Sequence, residues 1–436
     1  MIDIKLIREN PKLVKESQKK RGFLEEDVDK IIKLDKEWRQ LKEEADNLRS
    51  KRNKISQEIN QAKKEGKKID FLLKEAKEVP LLLEKIESLL NQKKDQRDSI
   101  LKEIPNIIDK SVPVGDASHN KVLKTFGKAK KLKVVKDHAD LLESLDLLDT
   151  KKAGEVAASR FYYLKGDLVK LNYAIINFAL DFLKKKGFTL IQPPFMLRKE
   201  VLEGALPLSS FEETIYKIES ENLYLIGTAE HAINAYYMNE IVKNLPEKFA
   251  GISSCFRKEA GSHGKDTKGI FRIHQFEKIE QFVFSKPEDS WKEFDLLLKN
   301  SEEILKQLEI PFRFVLLSSR DTGRVPAKTV DFEGWFPSQK AYRELGSCSN
   351  CLDYQARRSN IKFQDKGDFK FVHTLNNTAI ATERMIVCLV ENNQQPDGSI
   401  KIPKALWKYT GFKEIKAKKS EKSKKIKEKV KKLFHK

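Results

Sequence analysis

Residues that are apolar except for Arg52 recur at alternating spacings of three and four from Ile31 through Leu34, Trp38, Leu41, Ala45, Leu48, Arg52 and Ile55 to Ile59. That rhythm is a heptad seam and predicts a long helix, preceded by a short helix starting near Ile7. A second seam runs through Ala76, Val79, Leu83, Ile86, Leu90, Lys93, Arg97 and Ile100, after the polar turn AKKEGKKID. Two long helices joined by so short a turn must fold back as an antiparallel hairpin. Pro80 is discordant and is expected to kink the returning helix or delay its start. The first seam spans roughly 43 Å at the helical rise, and a two-helix arm of that length cannot bury much of itself. It could be a dimerisation rod. Its basic residues near the turn, Lys51, Arg52, Lys54, Lys63, Lys64, Lys67 and Lys68, suit a phosphate backbone equally well.

The periodicity changes beyond the arm. Residues from about 103 to 160, with Pro105, Pro113, Gly115 and a Lys-rich stretch around Lys128, read as a linker leading into a new domain. Residues 168–185 read as a helix. GFTLIQPPFM, residues 187–196, reads as a strand ending in Pro193 and Pro194, which lack backbone donors and belong at a strand end or edge. In residues 255–284, CFRKEAGSHGKDTKGIFRIHQFEKIEQFVF, two strand-like limbs flank a loop carrying Gly261, Gly264 and Gly269. Period-two alternation puts Arg272, His274, Phe276, Lys278 and Glu280 on one face and Ile273, Ile279 and Val283 on the other. Phe276 and Glu280 then lie roughly 13 Å apart, a span for a planar ring at one end and a small cation at the other. Arg257 and Glu259 share a face of the first limb. LNNTAIATERMIVCLVENNQ, residues 375–394, predicts a buried strand running into an apolar helix, where the charge of Arg384 needs a partner.

Composition narrows the classes. A chain of 436 residues has room for two or three domains, and a net charge of +20 points to an acidic partner, most often nucleic acid. The last 25 residues carry 12 Lys and 3 Glu, so almost half of that charge is a local tail, read as a solvated helix or a disordered arm. Four cysteines make no disulfide framework, and the lone Cys348-Ser349-Asn350-Cys351 lacks a second pair or a nearby His, so no zinc is expected. The amino terminus has no signal-peptide core and no segment reaches the ~18 apolar residues of a membrane span. The expectation is a cytoplasmic protein with no membrane contact.

The 255–284 stretch resembles motif 2 of the class II aminoacyl-tRNA synthetases, and in detail that of the seryl-tRNA synthetases, closer to archaeal or eukaryotic-type members than to bacterial ones. AYRELGSCSNCLDYQARR (residues 341–358), the Thr228-Ala229-Glu230 string and residues 375–394 follow in the family's pattern. The resemblance implies an α+β fold: an antiparallel two-helix coiled-coil arm joined to a catalytic domain on an antiparallel β-sheet flanked by helices. It divides the chain into an arm domain for tRNA (residues 1–110), a linker and lead-in (111–160), the catalytic domain (161–411) and the Lys-rich tail (412–436).

It also implies serine-tRNA ligation: serine and ATP give seryl-adenylate and pyrophosphate, and the seryl group passes to the 3′-terminal adenosine of serine tRNA. Selenocysteine tRNA stands as an open second substrate. No covalent enzyme intermediate is needed, so the site must align two anions and stabilise transferring charge. By resemblance, Arg257 binds the amino-acid carboxylate and the α-phosphate, Glu259 accepts from the adenine amino group, and Phe276 covers the ring. Lys258, the main chain at Ile273, and Leu345, Gly346 and Ser347 complete the nucleotide contacts. Glu344 helps hold Mg²⁺ with ATP, and Arg384 binds the γ-phosphate. Thr228, Ala229, Glu230 and Thr378 line the serine pocket with Arg257, and Glu280 receives the α-ammonium. Where this chain has Gly346 the family more commonly has Ser. His274 is read as an ordinary packing or hydrogen-bonding residue. A homodimer is implied, with residues 187–196 similar to the interface motif. Two rivals stay open: a paralogue that only binds RNA or protein, and a coiled-coil interaction protein with an unrelated C-terminal domain.

Overall fold

In the computed structural model the first seam is a single helix of 39 residues and the second a helix of 34. The structure describes residues 1–129, 135–207, 214–259 and 268–417, together with 132 and 209. The glycines at 261 and 264, and the tail from residue 418 onward, lie outside that set. The chain divides into two units, Met1–Ile107 and Ile108–Lys436.

The first unit holds α1 (Ile4–Glu9), α2 (Pro11–Arg21), α3 (Glu26–Lys64) and α4 (Asp70–Glu103). The opening helix starts at Ile4 rather than near Ile7 because the Asp3 side chain caps it, accepting from Lys5 N–H. Asn10 and Pro11 then start a second helix. Ile31, Ala45 and Ile55 of α3 and Val79, Leu83, Ile86 and Leu101 of α4 are buried. Arg52, although on the seam, is exposed. Ion pairs Glu37–Lys93 (2.7 Å), Arg49–Glu87 (2.7 Å) and Lys51–Glu75 (2.8 Å) tie the two helices along their length. At the base, Asp35 takes Arg8 and Arg97, and Arg97 lies 4.8 Å over the Trp38 ring. Burial opposes the charge of Asp35, but the two arginines hold its carboxyl below the usual range. Pro80 does not delay α4, which begins ten residues before it. It is exposed, so the Ala76 carbonyl that loses its partner can turn to solvent.

In the second unit the strands of the main sheet, numbered alone, are β1 (Lys121–Phe126), β2 (Thr189–Ile191), β3 (Glu247–Phe256), β4 (Gln275–Ser285), β5 (Phe312–Leu316), β6 (Lys328–Phe336), β7 (Ala341–Asn350) and β8 (His373–Ala381). Their order is β1-β5-β6-β7-β8-β4-β3-β2. Neighbours are antiparallel except β2 and β3, which are parallel. That exception to the expected antiparallel sheet follows from the connection. Residues 192–246 separate β2 from β3, and a parallel pair requires such a crossover. The 187–196 segment is strand only at Thr189–Ile191; Met196 opens a small ladder with Leu223–Leu225 beyond the two prolines. Residues read as a linker supply β1 at the sheet edge and α5 (His138–Ser144). Helices α6 (Asp167–Lys185), α8 (Ser290–Gln307) and α9 (Thr382–Asn393) share one core with Ile279 and Val283 of β4. Phe282 and Phe284, on the opposite face of β4, join a second core with Ala229 and Ile233 of α7 (Ala229–Asn234). Phe276, Lys278 and Glu280 continue that face, so alternation along one strand runs from core into cavity.

Candidate functional site

One cavity lies over β4, lined by Thr228, Glu230, Arg257, Glu259, Phe271, Arg272, Ile273, Phe276, Lys278 and Glu280, and by Glu344 to Ser347, Asn376, Thr378, Glu383 and Arg384. Its closed end is built by register. Glu280 pairs across the sheet with Thr378 of β8 on one side and Gly251 of β3 on the other. A Cβ at Gly251 would stand 2.5 Å from Ile233 Cδ1 and 3.0 Å from Ala229 Cβ, so glycine is what lets α7 settle against β3. The N-cap of that helix is Thr228. Its hydroxyl accepts from Glu230 N–H at 3.2 Å and donates to Glu280 Oε2 at 3.3 Å. Thr228 is both a helix cap and a wall of the cavity.

Glu280 is 1 % exposed and forms an ion pair with Lys278, itself 6 % exposed. Glu230 accepts from Gln355 (2.7 Å) and Asn376 (3.1 Å) through Oε1. Burial, and after it the charge of Glu280, pushes its carboxyl up to about 7. His231, with no hydrogen-bond partner at Nδ1, is pushed down to about 3 by burial and then by Lys278 and Arg257.

At the open end the Arg257 guanidinium lies 5.2 Å over the Phe276 ring and donates to Gly227 O at 3.2 Å. Arg257 N–H donates to His274 O and Lys258 N–H to Thr214 O, both at 2.9 Å, so the chain is leaving the β3–β4 ladder here. Glu259 therefore does not share a strand face with Arg257. It stands past the strand end at φ +51°, and Arg272 Nη1 bonds its carboxylate at 2.8 Å. Arg272 and His274 likewise precede β4 rather than lying in it. His274 bonds Arg257 O at 2.9 Å and Tyr216 at 3.1 Å, in keeping with a hydrogen-bonding residue. Across the cavity Arg384 pairs with Glu344 at 3.2 Å and lies 5.2 Å over Phe271. Partial desolvation opposes ionisation of the half-exposed Glu344, but Arg384, Arg257 and Arg272 hold it below the usual carboxylate range. Burial and the charges of Glu344, Glu333 and Asp321 push neighbouring Asp331 well above that range.

The returning limb of the glycine loop is fastened from outside. Lys268 bonds Asp137 (2.7 Å) and Asp140 (2.6 Å), and Ile270 N–H donates to His138 Nε2 at 3.1 Å. His138 is held in turn by Glu391 of α9 at 3.3 Å. Gly269 has φ +75°, and a Cβ there would stand 2.0 Å from His138 Nε2. In the cavity wall Glu383 bonds Tyr162, Thr382 Oγ1 (2.8 Å) and Glu277 N–H (3.1 Å); burial lifts it to about 7.

Of the residues singled out from sequence, Ala229 and Lys258 do not line the cavity. Ala229 is fully buried, because a helix that starts at Thr228 turns its first residue down onto Gly251. The others meet in one place. Lys278, Arg272, Asn376 and Glu383 line it as well, and no motif points to them. The alternation that exposed Glu280 also exposed Lys278, whereas Asn376 reaches Glu230 only through the fold.

The chain matches the seryl-tRNA synthetase N-terminal domain over residues 1–108 and the tRNA synthetase class II core domain (G, H, P, S and T) over residues 216–393. It is 48 % identical to the serine-tRNA ligase of Pyrococcus horikoshii, over 95 % of this chain and 97 % of the relative. It is similar to the crystal structure of seryl-tRNA synthetase from that organism complexed with ATP, with TM-score 0.92 and 47 % identity over 96 % of this chain and 100 % of the other. The cytoplasmic serine-tRNA ligase of Naegleria fowleri in complex with AMP aligns with TM-score 0.86 at 39 % identity, over 96 % and 99 % of the two chains.

Proposed function

The chain belongs to the seryl-tRNA synthetase family, and from that premise we propose how its cavity performs serine-tRNA ligation. The serine carboxylate attacks the α-phosphorus of ATP and expels pyrophosphate; the 3′-terminal adenosine of serine tRNA then takes the seryl group. Glu280 receives the serine α-ammonium and hydroxyl, with Thr228, Glu230 and Thr378 around it. Arg257 bridges carboxylate and α-phosphate, for which its planar fork is suited. Phe276 covers adenine and Glu259 meets its amino group. Ile273 and Leu345 to Ser347 complete the nucleotide contacts, and Arg384 takes the γ-phosphate. What supports this reading is the continuity of one cavity from Glu280 past Arg257 to Arg384.

A divalent cation fits beside Glu344. Glu344, Asp331 and Asp321 line one pocket beside the main cavity, where a cation would offset their mutual repulsion. Among the described residues no group of three or more His, Cys, Asp or Glu side chains could hold a metal ion, so Glu344 would share Mg²⁺ with the phosphates of ATP. When bound, the ion would neutralise the leaving pyrophosphate.

The proposal includes a homodimer and the cytoplasm. Exposed Leu190 on edge strand β2 and exposed Met196 just beyond it are apolar surface that a second copy would cover. The four cysteines are buried free thiols, and among the described residues no helix is long and apolar enough to cross a membrane. Serine-dependent exchange of pyrophosphate into ATP, followed by charging of serine tRNA and in parallel selenocysteine tRNA, tests the reading. Exchange that ignores serine defeats it.

Gly346 makes a separate prediction. A Cβ there would stand 2.5 Å from Phe332 Cζ and 2.7 Å from Thr378 Cβ, so the space for the family's more common Ser is occupied. Gly346→Ser should displace Thr378 against Glu280 at an overpacking cost of about 1–3 kcal/mol. A lowered melting temperature and a raised KM for serine are expected, with a smaller change for ATP, measured by thermal unfolding and exchange kinetics.

A further inference from the structure

Lys278 meets neither serine nor ATP in this scheme, although its ammonium is buried in the same cavity. Alternation along β4 sets it two residues from Phe276 and two from Glu280, about 6.6 Å along the strand from each. It therefore stands where the two reacting anions would meet, beside the span of Arg257. In the structure its charge is spent on Glu280, whose Oε2 also accepts from Thr228. Burying a lysine ammonium is costly, and an apolar side chain of similar volume would fill the space without that cost. Serine must displace this arrangement, because its own α-ammonium is bound for the same carboxylate.

We propose that Lys278 is a catalytic cation of serine activation: it neutralises Glu280 while the amino-acid end is empty, and when the serine ammonium takes that carboxylate it turns to the serine carboxylate and the α-phosphoryl group beside Arg257. This rests on the reading that Glu280 receives the ammonium. In the step itself a serine carboxylate oxygen forms a bond to the α-phosphorus, and the bond from that phosphorus to the oxygen bridging to the β-phosphate breaks. Pyrophosphate leaves with the electron pair. Lys278 keeps its proton throughout and contributes charge alone. A point charge on a flexible four-carbon stem can pass from one anion to the next, whereas a guanidinium fork is committed to one geometry. The exchange also makes Lys278 a competitor of serine in the ground state and a partner in the transition state.

That double role predicts a split in the kinetics. Lys278→Gln keeps a donor for Glu280 and so guards against unfolding; Lys278→Met removes both charge and donor. In either folded variant kcat for serine-dependent pyrophosphate exchange should fall about tenfold or more, while KM for serine stays level or drops. ATP binding measured by calorimetry serves as the control for an intact site. An unchanged kcat in Lys278→Gln, or a raised KM for serine with kcat kept, overturns the proposal. Glu280→Gln separates the two layers: if it leaves serine activation intact, the assignment of Glu280 itself fails, whereas a damaged Glu280→Gln beside a normal Lys278→Gln defeats only the role of Lys278.

Discussion

Glu280→Ala is expected to lower serine-dependent pyrophosphate exchange by at least about a hundredfold, while ATP binding weakens much less. The asymmetry follows from where the carboxylate sits. Glu280 occupies the closed end of the cavity, gripped by Thr228 and Lys278 and opposite Thr378, whereas the groups assigned to ATP lie toward Arg257 and Arg384. Removing it takes away the counter-ion for the α-ammonium and leaves Lys278 buried without its partner, so serine then meets a cation in place of an anion. A loss of a hundredfold is about 2.7 kcal/mol, just under the ~3–5 kcal/mol that breaking one side of a buried charged pair costs. Selectivity should change with rate. A pocket that bonds a hydroxyl rejects the analogue lacking it far more strongly than one that only excludes a methylene, so the variant should lose most of its preference for serine over alanine. Steady-state exchange with serine and alanine, and calorimetry with ATP, decide it. Equal losses for serine activation and ATP binding would remove Glu280 from the amino-acid end.

Much of this site could be read along the chain because β4 is a regular strand. Period two exposed Phe276, Lys278 and Glu280 together, and the strand keeps that order from cavity into core. Spacing fails where the backbone leaves regular geometry. Spacing alone puts Glu259 on a strand face, but the ladder ends at Phe256 and the chain turns to φ +51°. Ala229 shares a motif with Thr228 and Glu230, yet one residue along a helix is a turn of about 100°, enough to carry a side chain from cavity to core. The meeting of Thr378 with Glu280 depends on cross-strand register and a bulge after Thr378, and neither has a local periodic signal. The fastening of the glycine loop to His138 was hidden for a related reason. Its parts lie more than 100 residues apart, in a stretch that composition marked only as a linker.

The arm was legible for the opposite reason, since each heptad position repeats the same physical requirement, and it supports a second large effect. Removing residues 50–82 and closing the hairpin with a short glycine-rich turn should leave serine-dependent exchange within about twofold while kcat/KM for charging serine tRNA falls more than about a hundredfold. The cut is set by what holds the base together. Asp35 with Arg8 and Arg97, the Glu37–Lys93 and Arg49–Glu87 pairs, and the Ala45, Leu83 and Ile86 cluster all remain. What goes is the basic end. There Lys51 and Lys67 are neutralised by Glu75 and Glu65, but Arg52, Lys63, Lys64 and Lys68 are exposed and form no ion pair among the described residues. Unpaired surface cations serve the folded chain little, whereas each one that meets a phosphate releases a counter-ion and steepens the salt dependence of binding. The shortened protein should therefore show a shallower dependence of tRNA affinity on salt as well as a weaker one. A dimerisation rod would give the reverse pattern: charging per active site kept, and the oligomer lost in sedimentation. Charging and salt slope both unchanged would separate the arm from tRNA altogether, leaving its free cations without a function in this reaction.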